Sequence, residues 1–332
     1  METVTSLLEL PIRIERYALE PLSLDIGRDF IRRTTVVHLH CGGEEGVGED
    51  ITYVEEDQLA FVAAGPVLDL TGDHTLASCS RALPADLSDY RRWAFESAVL
   101  DLALRQAGLS LAEALGRRVR PVTFVVSRNE DLDGWRRLYP GMRFKLDAAT
   151  DWSEEWVARL AASGAVDTVD LKGHYQDVEG VGLEPDPDLY ARVCEGFPAA
   201  WIEDPWLDER TWPVLSPHES RLTFDAPIHA VADAESLPFR PRCLNVKPSR
   251  FGSLERLLAF YTWCEERGVA MYGGGQFELG PGRGQIQLLA SLFHPDSPND
   301  VAPSAYNAGA PRPGLPISPL SLSPRATGFV LE

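Results

Sequence analysis

Four charged residues stand at the ends of short apolar segments, at nearly even intervals along the chain. They are Asp170 in TVDLKGHY, Glu203 in AAWIEDPW, Asp225 in RLTFDAPI and Lys247 in CLNVKPSR, separated by 33, 22 and 22 residues. Because a lone charge is costly to bury, each apolar segment should end where its charge leaves the core. An interval of this length holds one strand, one loop and one helix. The repeat predicts a (β/α)8 TIM-type barrel with its chemistry at the carboxyl ends of the strands.

The rest of residues 119–302 repeats the same unit. Continuous apolar strands linked by amphipathic helices, such as WSEEWVARLAASG, are typical of a parallel sheet covered on both faces. An eighth strand is expected around residues 299–302. The fold class is therefore α/β, with a barrel domain over 119–302. The other predicted strands are PVTFVVS, RFKLD, DTVDLKG, AAWIEDP, RLTFDAP, CLNVKPS and VAMYGG.

The part of the chain before the barrel has a different pattern. Residues 12–49 alternate between apolar and polar side chains and end in the turn-rich CGGEEGVGED, which predicts an antiparallel meander. Helices are expected over 55–64 and 93–115. Residues 1–118 are thus predicted to form an α+β capping domain. Residues 303–332 hold six prolines and little periodicity, so we expect an extended segment that packs back on the capping domain.

Charge and cysteine content exclude several classes of function. The chain has 31 basic and 50 acidic residues, a net charge of −19, which opposes nucleic acid or an anionic membrane as a partner. No apolar stretch approaches the roughly 20 residues that span a bilayer. Five dispersed cysteines without a CxxC pair, and a start without a secretory pattern, predict a cytoplasmic location.

The residues themselves indicate a metal site. Carboxylates at three neighbouring strand ends, Asp170, Glu203 and Asp225, would form an oxygen-rich site for a hard divalent cation such as magnesium. A helix cap is the alternative for any single one of them, but the even spacing of three favours metal ligands. Lys247 would lie across the barrel mouth, free for proton transfer. Strand alternation turns Asp204 away from Glu203, which limits it to an indirect role.

These motifs together resemble the enolase superfamily, specifically its muconate-lactonizing-enzyme branch within the mandelate racemase/muconate lactonizing enzyme family. The resemblance covers nearly the whole chain. Each motif is weak alone, and it is their order and barrel spacing that make them specific. The matching segments are GVGED, ESAVLDLALRQAGLSLAEALG, VDLKGHY, WIEDP, FDAP, LNVKPSRFGSLERL and FELGPGRGQIQLLASLF.

The resemblance implies an activity. It implies that Mg²⁺ or Mn²⁺ assists removal of the proton α to a substrate carboxylate through an enediolate intermediate, with Lys145 and Lys247 as the proton-transfer groups. Such an isomerase or lyase would be a racemase or epimerase, an o-succinylbenzoate synthase-like dehydratase or a cycloisomerase. Asp300-Val301-Ala302 departs from the Asp-x-Asp that is usual in dipeptide epimerases. The resemblance also implies a small-molecule carboxylate substrate and a homo-oligomer.

The second predicted strand departs from the family pattern of Lys-x-Lys. Alternation puts Arg143, Lys145 and Asp147 on one face, so two registers remain open. In the first, Arg143 and Lys145 replace the pair and Lys145 is the base. In the second, Lys145 matches the first lysine and Asp147 stands where the base belongs. The distance to the next helix favours the first register.

The roles of Lys172 and Glu278 are open as well. Lys172 replaces the asparagine of the third-strand motif, where it could neutralise a carboxylate, act as a second base or partly substitute for the metal. Glu278 is expected near the rim of the site or in a structural role within its loop. A catalytically degenerate member that binds a carboxylate without turnover is therefore the alternative function. An unrelated barrel hydrolase is a third hypothesis, in which the three carboxylates do not converge.

Overall fold

A computed structural model describes residues 2–27, 30–175, 181–307 and 309–332, which form an α+β domain followed by a ring of parallel strands. The strands are β1 (Pro11–Ile14), β2 (Arg16–Asp25), β3 (Ile31–Cys41), β4 (Glu44–Asp50), β5 (Gly72–Thr75), β6 (Val126–Ser127), β7 (Phe144–Asp147), β8 (Val166–Asp170), β9 (Trp201–Glu203), β10 (Leu222–Thr223), β11 (Cys243–Val246) and β12 (Ala270–Gly273). The helices are α1 (Glu2–Leu8), α2 (Glu55–Ala64), α3 (Leu76–Ala82), α4 (Asp89–Gln106), α5 (Leu111–Ala114), α6 (Leu132–Leu138), α7 (Glu154–Ala162), α8 (Pro187–Gly196), α9 (Trp212–Leu215), α10 (Val231–Glu235), α11 (Pro248–Phe251), α12 (Leu254–Arg267) and α13 (Pro281–Phe293).

The first domain contains the predicted meander. Strands β2, β3 and β4 pair antiparallel in that order, and β4 lies against helix α4. The strand and the helix approach so closely that a Cβ atom on Gly46 would lie 2.4 Å from the carbonyl oxygen of Ala98. A Cβ atom on Gly48 would lie 2.0 Å from the carbonyl oxygen of Ala94. The glycines of the GVG segment are therefore needed for this contact, because no side chain fits there.

The helix predicted over 93–115 is in fact two helices. Helix α4 starts earlier, at Asp89, where the Ser88 side chain accepts a hydrogen bond from the backbone N–H of Arg91. It ends at Gln106, and Gly108 then takes a positive φ of 67°. The short helix α5 begins after a Ser110–Glu113 capping box. The apolar periodicity continues across this turn, which is why the sequence pattern did not show the break.

The barrel closes through parallel pairing and a few single hydrogen bonds. Strands β6 to β10 form one five-stranded parallel sheet, and β11 pairs parallel with β12. Residues 299–300 complete the ring in the place of an eighth strand, as the sequence predicted. In this ring β7 and β11 are the second and sixth strands and so stand across from each other. The closing hydrogen bonds are Asn245 N to Phe224 O (3.1 Å), Asp300 N to Gly273 O (2.7 Å) and Val125 N to Asn299 O (2.9 Å).

Buried carboxylates join the two parts of the chain. Glu49, near the end of β4, accepts hydrogen bonds from the backbone N–H groups at the start of α13, namely those of Leu279, Gly280 and Gly282. Asp101 of α4 accepts one from Phe329 N at 2.6 Å, which ties the last described segment to the first domain. These contacts fix the α+β domain over the carboxyl ends of the barrel strands.

In the part of the chain that the structure describes, we find no helix that combines the length and the apolar character needed to cross a membrane.

Candidate active site

The four charges that mark the strand ends meet at one end of the barrel. Asp170 and Glu203 are the last residues of β8 and β9, Asp225 lies two residues beyond β10, and Lys247 directly follows β11. All four side chains are buried. Beside them lies a cavity of about 800 Å³, whose wall includes Lys145 and Lys247. The position at the carboxyl ends of the strands follows from the chain direction that all barrel strands share.

Glu203 is surrounded by hydrogen-bond donors. Its Oε1 atom accepts from the ammonium of Lys145 at 2.5 Å and from the Asn245 side-chain amide at 3.2 Å. Its Oε2 atom accepts from the hydroxyl of Tyr272 at 2.5 Å. Lys145 also lies 3.4 Å from Asp170. Burial alone would lower the pKa of Lys145, but the charges of Glu203 and Asp170 outweigh it and hold that pKa well above its usual range.

Asp170 is held by a lysine from its own strand end. The Lys172 ammonium lies 2.5 Å from Asp170 Oδ2 and 3.0 Å from Asp147 Oδ1. Lys172 adopts a left-handed backbone with φ of 52°, which is uncommon outside glycine, and this turn brings its side chain back over β8. Burial opposes its charge, but Asp170 and Asp147 outweigh this and raise the pKa of Lys172. Of the three roles considered for Lys172, neutralising a carboxylate is the one that this geometry supports.

Asp225 has two cationic partners of its own. Lys247 Nζ lies 2.5 Å from Asp225 Oδ2, and Arg250 Nε lies 2.9 Å from Oδ1. Arg250 also donates to the hydroxyl of Tyr175 at 2.5 Å. Burial would raise the pKa of the Asp225 carboxyl, but Arg250 and Lys247 outweigh it and lower that pKa below its ordinary range. Asp225 is therefore charged and neutralised by its neighbours.

The carboxylates have the chemistry that a hard divalent cation requires. Within the described residues, oxygen atoms of Asp170, Glu203 and Asp204 lie within 4.8 Å of one another, and all three residues are buried. Buried carboxylate oxygens are the ligands that magnesium and manganese prefer, so the donor set fits such an ion. This group contains Asp204, whereas Asp225 of the predicted triad is not part of it.

The position of Asp204 differs from what strand alternation predicts. Its backbone is left-handed, with φ of 49°, so the alternation of β9 ends at Glu203 and the Asp204 side chain turns toward the neighbouring carboxylates. Its oxygens accept from the backbone N–H groups of Asp225 and Ala226. Burial, with the nearby charges of Asp225 and Asp170, raises its pKa well above the usual value. Asp204 thus holds the Asp225 segment in place.

The remaining predicted site residues divide between the cavity and its surroundings. Lys145 and Asp147 line the cavity. Arg143 does not, because it precedes β7 and binds Asp167 on the exterior. This strand offers the cavity the two side chains of the second register, which the distance to the next helix did not favour. Asp147 is paired with Lys172 at 3.0 Å, whereas Lys145 lies beside the buried carboxylates, so Lys145 as the base stays a prediction. Glu278 lies behind the cavity wall and pairs with Arg283 at 2.9 Å.

Three residues near these carboxylates were not predicted. The Arg250 side chain follows Lys247 by one helical turn, a spacing that could have revealed it. The tyrosine in VAMYGG gives a weaker indication, since a hydroxyl in an apolar strand needs a partner. Tyr175, whose hydroxyl lies 3.5 Å from Asp225 Oδ2, had no recognisable pattern.

A closed ring of parallel strands, an α+β domain over its carboxyl ends and buried carboxylates at those ends define a modified barrel of the enolase-superfamily type. Comparison with solved structures confirms this fold. The chain superposes on an enolase-superfamily protein from Listeria innocua with a TM-score of 0.70 and 18% identity, covering 89% of this chain and 86% of the other. Muconate lactonizing enzyme from Pseudomonas putida gives a TM-score of 0.65 with 21% identity, covering 87% and 88%.

The particular family follows from the sequence. Residues 5–114 match the N-terminal domain and residues 118–308 the C-terminal domain of a family described as a domain of unknown function, DUF8230, and the chain belongs to this family. It is also 28% identical over 222 residues to o-succinylbenzoate synthase from Bacillus subtilis. That match covers 63% of this chain and 58% of the length of the relative.

Proposed function

We propose that this protein is a divalent-metal-dependent enzyme that removes the proton α to the carboxylate of a small-molecule substrate. One observation carries the proposal. Lys145 and Lys247 come from the second and sixth strands of the closed ring, so they approach one cavity from opposite sides, beside buried carboxylates. Of two lysines so placed, one acting as a neutral amine can take a proton from one face of a bound substrate, and the other, as an ammonium, can donate a proton to the opposite face.

The proposed ligands of the ion are the three strand-end carboxylates Asp170, Glu203 and Asp225, with Mg²⁺ or Mn²⁺ as the cation. Asp204 is not proposed as a ligand, because its oxygens accept hydrogen bonds from the backbone N–H groups that follow β10. When bound, such an ion would supply positive charge that stabilises negative charge developing on a substrate carboxylate. Lys145 Nζ holds its proton tightly because Glu203 and Asp170 are negatively charged, and it holds that proton less tightly when these charges are neutralised. Lys247 Nζ, 2.5 Å from Asp225, is the proposed partner that moves a proton on the opposite side.

The similarity to an o-succinylbenzoate synthase supports a lyase, with a racemase, epimerase or cycloisomerase as other reactions that begin with the same proton removal. It also makes o-succinylbenzoate a compound to test as product. A homo-oligomer, implied by the resemblance, stays a prediction that light scattering would check.

The direct test is deuterium exchange into a panel of carboxylic acids that carry a proton on the α-carbon, followed by NMR in heavy water with magnesium. Exchange at the α-carbon should require the metal and be lost in Lys247→Ala and Lys145→Met. The matched control is Arg120→Met, since Arg120 is exposed and paired with the exposed Asp296. Exchange that persists in Lys247→Ala would contradict the role of that lysine.

A carboxylate-binding protein without turnover is the second candidate. It is supported by the ion pairs themselves, because each proposed ligand already has a cationic nitrogen at 2.5 Å. In that event the panel would give binding, seen by calorimetry, and no exchange with any compound.

A further inference from the structure

Cationic side chains outnumber acidic ones on the cavity wall, in contrast to the chain as a whole. Among the described residues that line it, six are cationic and two are acidic, whereas the complete chain carries a net charge of −19. The charged lining residues are Arg128, Lys145, Lys172, Lys247, Arg250 and Arg283, with Asp147 and Asp300.

Five of these six cations are already neutralised by an acidic partner, and Arg128 is the exception. Across the described ranges, no carboxylate oxygen lies within 4.0 Å of the Arg128 guanidinium; Glu130 and Asp131 act on it only from farther away. The paired cations are Lys145 with Glu203 (2.5 Å), Lys172 with Asp147 (3.0 Å), Lys247 with Asp225 (2.5 Å), Arg250 with Asp225 (2.9 Å) and Arg283 with Glu278 (2.9 Å).

Neutral groups hold the Arg128 side chain in one orientation. Its Nη1 atom donates to the carbonyl oxygen of Gly309 at 2.9 Å, and its guanidinium lies 4.9 Å from the centre of the Trp135 ring. Its backbone N–H donates to the carbonyl oxygen of Lys145 at 3.1 Å, which fixes it beside β7. A guanidinium that is oriented in advance, and has no charged partner, is suited to bind a planar carboxylate through two parallel hydrogen bonds.

We propose that Arg128 binds a second carboxylate of the substrate, so that the ligand of this site is a dicarboxylate. The proposal rests on the proposed function in one respect, that the reacting carboxylate lies near Lys145 and Lys247. The cavity of about 800 Å³ is far larger than one carboxylate group, and its wall also includes Phe30, Tyr53 and Phe277. These aromatic side chains provide an apolar surface for the part of the ligand that joins its two carboxylates.

The test measures binding without turnover. Isothermal titration calorimetry, with magnesium present, compares straight-chain dicarboxylates from succinate to suberate with monocarboxylates of the same length. The chain length that binds most tightly measures the separation between the two carboxylate subsites. The wild-type protein should bind the best dicarboxylate at least about tenfold more tightly than its matched monocarboxylate, as expected for a charge-assisted hydrogen bond.

Variants test whether Arg128 causes the preference for dicarboxylates. Arg128→Met should remove the preference and leave monocarboxylate binding within about twofold, whereas Arg128→Lys should keep part of it and Arg120→Met all of it. Equal binding of both classes by the wild type, or a preference that survives in Arg128→Met, would overturn the proposal. Failure of the proposed function would be distinct, because a protein that exchanges no α-proton can still show a dicarboxylate preference that depends on Arg128.

Discussion

Two sets of buried carboxylates in this molecule differ in what they bind. Between the domains, Glu49 and Glu96 accept hydrogen bonds from backbone N–H groups at the start of barrel helices, Glu49 from α13 and Glu96 from Leu254 of α12. Glu96 also pairs with Arg92 of its own helix at 3.3 Å. At the cavity, each of Asp170, Glu203 and Asp225 faces an ammonium or guanidinium group at 2.5–2.9 Å. Carboxylates of similar burial therefore occupy different environments.

The difference shows which carboxylates can change partners. A backbone N–H is fixed by the helix that it begins, so the carboxylate bound to it has a structural role. A lysine ammonium sits on a flexible side chain and can move away when a metal ion or substrate arrives. We expect the first set to determine stability and the second to determine ligand binding, and four measurements test that division.

The largest effect is expected for Glu49→Leu. The substitution leaves the N–H groups of Leu279, Gly280 and Gly282 without the acceptor that they now have, and each unsatisfied buried donor costs about 1–3 kcal/mol. The free energy of unfolding, measured in urea, should fall by about 4 kcal/mol. Glu44→Leu, on the exposed part of the same strand, should change it by less than about 0.5 kcal/mol. A loss below about 1 kcal/mol for Glu49→Leu would contradict a structural role for Glu49.

An intermediate effect is expected for Lys172→Asn. Asparagine tolerates the left-handed backbone of this position and removes the ammonium that lies 2.5 Å from Asp170. Because that ammonium competes with a cation for the same carboxylate, Mn²⁺ affinity should rise about tenfold, which corresponds to about 1.4 kcal/mol. Electron paramagnetic resonance of free Mn²⁺ measures this. Lys172→Arg keeps the charge and should show no gain; weaker binding by Lys172→Asn would mean that the lysine assists the ion.

A smaller effect is expected for Tyr272→Phe. The variant loses the hydroxyl that donates to Glu203 Oε2. The Oε1 atom of Glu203 keeps its hydrogen bonds from Lys145 and Asn245. The loss of one buried hydrogen bond should lower the free energy of unfolding by about 1 kcal/mol. Tyr261→Phe is the matched control, since that hydroxyl has only a contact of 3.5 Å to His294. Equal losses in both variants would show that the Tyr272 hydroxyl has no special role.

The smallest effect is a difference in pH dependence for Glu49→Gln. Burial, with the charge of Glu278, raises the pKa of Glu49 above its ordinary value of 4.5. The native state therefore binds this proton more tightly than the unfolded state, and it gains stability as the pH falls from the raised pKa to about 4.5, with no further gain below. The glutamine variant lacks this contribution. The stability advantage of the wild type over Glu49→Gln should grow across that window in urea titrations at successive pH values, and a constant or shrinking advantage would contradict the shift.

The contribution of Asp225 to stability should depend on pH with the opposite sign. Arg250 and Lys247 outweigh burial and lower its pKa in the folded state, so its contribution is present above the pKa of the unfolded chain and is lost as the pH falls toward the lowered value. Glu49 and Asp225 are thus distinguishable by acid titration as well as by mutation.

The strand-end positions of Asp170, Glu203, Asp225 and Lys247 could be predicted because they depend on local pattern. Chain direction and strand length are enough to bring them to one end of a barrel. Arg143 shows where such a pattern fails. The pairing of β7 with β8 shifts between Phe144 and Lys145, so alternation does not extend back to Arg143.

Backbone conformation and contacts across the ring lie beyond sequence pattern. The positive φ angles of Lys172 and Asp204 turn both side chains toward the carboxylates. A lysine or an aspartate in a sequence is not enough to predict such a conformation. Tyr272 and Glu203 are 69 residues apart, and only closure of the barrel brings them into contact.

The hydrogen bond between Asp101 and Phe329 also affects how the protein is made. The two residues are separated by 228 positions, so a ribosome synthesises the whole barrel between them. Until Phe329 leaves the exit tunnel, Asp101 lacks one of the backbone donors that offset its burial, and Leu111 lacks the carbonyl of Gly328. The α+β domain thus emerges before the barrel but gains these hydrogen bonds only after it. Nascent chains arrested within the barrel would therefore present to chaperones and proteases a domain that lacks both of them.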